Sequence, residues 1–78
     1  MPKSTALNYL EWLALASLYK YRGNLSSPVR YVGLAATVAS LINRHPPLAQ
    51  WVGKPSQNQV RITDDGILLY EGAELIGP

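Results

Sequence analysis

The sequence predicts a mainly helical α+β fold with a small β-hairpin, and three observations carry that prediction. Leu7, Leu10, Ala14 and Leu18 in one segment, and Tyr31, Ala35, Val38 and Ile42 in another, recur at helical spacing. Farther on, Val60 and Ile62 alternate with Arg61 and Thr63 as a half-buried strand should. Between the apolar runs "LAQWV" and "QVRIT" lies "GKPSQN", a polar turn-forming loop.

The first helix is expected over residues 4–22, with Ser4 or Thr5 as cap and Gly23-Asn24 as its end. Lys20 and Arg22 stand in the last turn, where the helix dipole favours cations. Beside the first apolar stripe runs a second one, Tyr9, Trp12, Ala16 and Tyr19. A helix covering one core needs one stripe, so the second asks for another surface. A symmetry-related copy is the expected cover, which makes these four residues a candidate homodimer interface.

A second helical region opens at Ser27 as cap and Pro28 as first helical residue, and closes at His45 because Pro46 disfavours helical geometry before it. Residues 28–44 read either as one helix containing Gly33 or as two helices with Gly33 supplying the turn, and periodicity does not separate the two. The segment from Thr63 onward also forks. Thr63 can cap a helix whose first turn holds Asp64 and Asp65, while Asp65-Gly66 can equally turn a hairpin with Ile67–Tyr70 returning. The dipole argument favours the helix.

Composition bounds the class. With 78 residues the chain is expected to be a single domain spanning 1–78, and with 47% apolar and only 15% charged residues it is globular in type. The net charge of +2 hides an uneven distribution. Residues 1–63 carry all seven basic side chains against Glu11 alone, and residues 64–78 carry four acids and no base. A basic body with an acidic end suits a polyanion partner. The stretch "ALNYLEWLALAS" superficially resembles a secretion signal, but Asn8 and Glu11 interrupt it and no run reaches membrane-spanning length. With no cysteine, a cytoplasmic location is expected.

The order helix, helix-Gly-helix, strand, polar loop, strand, acidic cap and helix resembles winged helix-turn-helix domains, most of all the small MarR-like and PadR-like transcription regulators. "GLAATVASLINR" carries the likeness for the turn and recognition helix, "WVGKPSQNQVRIT" for the wing, and "RITDDG" for the strand entering a helix cap. The resemblance covers about residues 8–76. It implies a dimeric regulator that binds double-stranded DNA through a recognition helix over 36–44 and a wing over 53–61. Thr37, Ser40, Asn43 and Arg44 would then face the major groove, where hydroxyls, amide and guanidinium pair with base edges or phosphate. Lys54, Gln57, Asn58 and Arg61 would brace on the backbone, and Arg30 at a helix start would meet a phosphate.

No enzyme signature is present. Glycine-rich phosphate loops are missing, Asp64 and Asp65 suit a helix start better than acid–base chemistry, and the single His45 has no ligand-spaced partner. Neither metal, cofactor, small-molecule ligand nor membrane association is indicated. The alternative class is a protein-interaction module that uses the aromatic stripe of the first helix and touches no nucleic acid.

Overall fold

The computed structural model describes residues 7–76, with side chains described through Ala73. The architecture is mixed α+β: four helices and a three-stranded antiparallel sheet, a layout compatible with a winged-helix-like arrangement. In chain order the elements are α1 (Tyr9–Lys20), β1 (Ser27–Pro28), α2 (Val29–Val32), α3 (Ala35–Ile42), β2 (Ala49–Trp51), β3 (Gln59–Ile62) and α4 (Asp64–Ile76). A 3-10 turn, Pro55–Gln57, lies within the loop between β2 and β3.

Helix α1 begins later than its apolar pattern suggests. Asn8 accepts the Glu11 amide at 2.8 Å, and the Glu11 carboxylate accepts the Asn8 amide at 3.1 Å. This reciprocal capping box satisfies two amides that an early helix start would have used, and it fixes the boundary. Ser4 and Thr5, the expected caps, lie outside the described residues.

The second region corrects another boundary. Ser27 and Pro28 form a two-residue edge strand on β3, where proline's missing donor is harmless, and the helix opens one residue later than expected, at Val29, with Pro28 in the cap position and no side-chain cap from Ser27. The chain then makes two helices rather than one. Val29 accepts the Gly33 amide at 3.1 Å and closes α2, extended backbone follows at Gly33 and Leu34, and the Leu34 carbonyl accepts the Val38 amide at 3.0 Å to start α3. That break brings Val32 and Val38 into the same core. Helix α3 stops at Ile42, before the expected His45, because the chain turns there and Leu48 donates back to the Leu41 carbonyl at 3.1 Å.

Strand β3 is central, in the order β1-β3-β2, with Val60 opposite both Ser27 and Trp51. Its alternation is the one read from sequence: Val60 and Ile62 buried, Arg61 exposed. Leu15, Leu18, Val38, Leu41 and Val60 are the largest fully buried side chains, so α1, α3 and the sheet share one core.

The fork after β3 resolves as a helix. The Thr63 hydroxyl accepts the Gly66 amide at 3.1 Å and donates to the Pro47 carbonyl at 2.7 Å, so the same side chain caps α4 and ties it to the chain before β2. Gly66 is required by close approach. A Cβ there would overlap the Leu48 carbonyl oxygen and come within 2.8 Å of Ile62.

Helix α4 also corrects the second-stripe reading. The Tyr70 ring stacks on Tyr19 with centroids 4.7 Å apart and lies 6.4 Å from Trp12, and Tyr19 donates its hydroxyl to Glu71 at 2.7 Å. Trp12 and Tyr19 are therefore half-buried against their own chain, so part of the cover that the stripe asks for comes from α4. Tyr9 stays exposed at 75%, and half-buried Ala16 faces a different surface, described below.

Candidate nucleic-acid interface

Glu11 organises the candidate recognition helix. Its carboxylate is only 4% exposed, between α1 and α3, and a charge so placed must be paired and hydrogen-bonded. Arg44 supplies both, with Nη2 2.9 Å from Oε1 and Nε 3.2 Å from Oε2, and the Ser40 hydroxyl one turn earlier donates to Oε2. Burial pushes the Glu11 pKa up. The hydrogen bonds from Arg44, Ser40 and the Asn8 amide, with the Arg44 charge, outweigh it and hold the carboxyl below its ordinary value.

Thr37, Ser40, Asn43 and Arg44 therefore do not form one outward polar face, which corrects the sequence reading. Ser40 and Arg44 turn their polar atoms to Glu11, because a buried carboxylate competes for them more strongly than water does. Thr37 is half-buried beside Leu10 and Leu13. Asn43 is exposed at the end of α3, where its backbone amide donates to the Ala39 carbonyl and its side chain stays open, and Ser40 is exposed too although its hydroxyl is held by Glu11. Within α3 itself the exposed positions are Ser40 and, in the first turn, Ala35 and Ala36.

The loop between β2 and β3 has a built shape. Its Gln57 side-chain carbonyl accepts the Lys54 amide at 3.2 Å, and the Gln57 amide donates to the Lys54 carbonyl at 2.9 Å. Gly53 adopts φ +79°, where a Cβ would run into that same Gln57 oxygen, and Asn58 takes the left-handed conformation it tolerates well. Gln57 thus spends its carbonyl on the loop itself. Lys54, Ser56 and Asn58 are exposed at the tip, and Arg61 is exposed on β3 opposite Gln50.

These parts meet at one place. An open pocket of about 560 Å³ is lined by Arg30 of α2, Ala35 at the start of α3, Gln57 and Asn58 of the loop, and Gln59 at the start of β3. No side chain caps α3 at Leu34, so its first-turn amides keep their donors for an incoming group. At the start of α2 the Val29 amide already donates to the Asn58 carbonyl at 2.9 Å, so that amide is taken up within the fold rather than offered beside Arg30. That bond instead locks the loop against the helix pair.

Glu11 and the exposed leucines were the residues that sequence reasoning missed. Glu11 read as a charge interrupting an apolar run, although Asn8-x-x-Glu11 carries a capping-box signal in plain view. Among the described residues no group of three or more metal-ligating side chains converges, and no helix is long and apolar enough to cross a membrane. No protein-family model matches the chain, and comparisons with curated proteins and with solved structures give no match either.

Proposed function

We propose that this chain is a small winged-helix DNA-binding protein, a transcription regulator in type, that holds duplex DNA between the start of α3 and the β2–β3 loop. The observation that carries the reading is the shared pocket of Arg30, the first turn of α3 and the loop amides. A phosphate there would meet one guanidinium, uncapped helix amides and long polar side chains together. Lys54 and Arg61 extend the positive surface along the loop and strand. The alanines at 35 and 36 let the α3 backbone approach a groove closely, and Asn43 is the exposed amide left to read a base edge.

Specificity drawn from α3 is then narrow and affinity rests on phosphates. Arg44 contributes indirectly by fixing α3 on α1. Fluorescence anisotropy with a labelled duplex tests this assignment. Replacing Arg30, Lys54 and Arg61 together by Ala should weaken binding by at least about tenfold in low salt, since each neutralised phosphate adds to a counterion-release term. Undiminished binding by that variant rules the surface out.

The alternative, an interaction module using the aromatic stripe, has less open surface to work with, because α4 packs on Trp12 and Tyr19 and leaves them half-buried, with Tyr9 exposed. What stays open to a protein partner is a different, leucine-lined groove.

A further inference from the structure

A groove of about 690 Å³ runs between α1 and the α2–α3 turn. Leu10, Leu13 and Leu34 line it at 50%, 46% and 64% exposure, and Lys20 and Arg30 stand at its rim. Its lining contains no acid. Apolar surface of this kind on so small a chain marks a contact. Pairing groove on groove would gather two Lys20 and two Arg30 side chains with no counter-charge, so an acidic surface is the better complement.

The complementary surface is on the same chain. The outer face of α4 exposes Asp64, Asp65 and Leu68, at offsets 0, 1 and 4 on one side of the helix, with Glu71 exposed a turn further on, where one of its carboxylate oxygens accepts the Tyr19 hydroxyl. Leu68 is 67% exposed, an apolar anchor flanked by carboxylates on both sides. We propose that the chain self-associates by seating the outer face of α4 from one copy in the α1/α2–α3 groove of another, Leu68 among Leu10, Leu13 and Leu34, with the acids meeting Lys20 and Arg30. Two different patches meet, so the contact is heterologous: it extends head to tail unless geometry closes it. This contact does not rest on the DNA reading, and its test contains no nucleic acid.

Sedimentation velocity on the full chain should show reversible association with rising concentration that weakens as salt is raised, because the flanking charge pairs are exposed and screened. Two substitutions break opposite halves. Leu34→Asp places a carboxylate in the groove at the N-cap of α3, where Asp is a favourable cap, so the helix is kept. Leu68→Gln removes the anchor from an exposed helical position.

Each variant alone should associate at least about tenfold more weakly, the effect of losing one buried leucine contact. An equimolar mixture should form a 1:1 complex that grows no further, since each variant keeps the half the other lacks. Circular dichroism checks folding, and Leu13→Glu replaces Leu34→Asp if that variant does not fold. A wild type that stays monomeric at high micromolar concentration in low salt overturns the proposal, and so does a mixture that stays monomeric. Full association by Leu68→Gln overturns α4 as the occupant.

Discussion

Glu11 sits at the junction of three local demands: it caps α1, it is buried under α3, and it takes both Arg44 and Ser40 as donors. Arg44→Ala leaves that carboxylate buried and half-satisfied, so unfolding by urea should show a loss of about 3 kcal/mol. Replacing Glu11 and Arg44 together by Met should recover much of that loss, because the apolar pair carries no desolvation penalty. The acid limb follows from the sign of the shift. Glu11 titrates below its ordinary value of 4.5, so its stabilisation is complete above the unfolded-chain value and is lost as pH falls through the lower folded value. Glu11→Gln should flatten that part of the pH–stability curve, and an unchanged acid limb would show that Glu11 does not govern it.

Two glycines of α4 make a paired test at the same scale. Gly66→Ala drives a methyl into the Leu48 carbonyl and should cost about 2 kcal/mol, whereas Gly72→Ala meets nothing within 4 Å and should stabilise α4 by about 0.5–1 kcal/mol. Thermal melts of the two variants should shift in opposite directions. Equal shifts would mean that the close approach at Gly66 is not a constraint.

At the level of elements, α1 and α4 are joined by a stack in which the Arg22 guanidinium lies 4.0 Å from the Tyr19 ring centroid, and Tyr19 and Trp12 in turn flank Tyr70. Tyr70→Ala should destabilise the fold by about 2 kcal/mol and expose Trp12, seen as a red shift of its fluorescence. How far the elements were legible depends on what defines them. Helix α4 was readable because Thr63 and the two aspartates form a local start signal. Strand β1 was not, since two residues including a proline carry no periodicity and owe their strand geometry to β3. The second stripe of α1 was read correctly as needing a cover. Which surface covers it depended on where α4 docks, a long-range fact that spacing along one helix does not contain.

At the scale of the molecule, the basic body and acidic end seen in the sequence become two surfaces: cations around the α2–α3 turn and the loop, and acids on the outside of α4. Pairing Arg44 with Glu11 withdraws one cation from the first surface, so the set proposed to face phosphate reduces to Arg30, Lys54 and Arg61. A plot of log affinity for duplex against log salt should therefore be shallow, with a slope of no more than about −3. A much steeper slope would require cations that this surface does not present. The candidate site was only partly legible for the same reason: residue types at 37, 40, 43 and 44 could be read, but a buried acid on another helix decided where two of them point.

Amide chemical-shift mapping of the full chain titrated with a short duplex tests the central claim most directly. If duplex DNA is held between the start of α3 and the loop, the perturbed amides should cluster at Arg30, Ala35–Thr37 and Gly53–Asn58, with α4 silent. Shifts confined to α4, or none at all in low salt, would contradict the account.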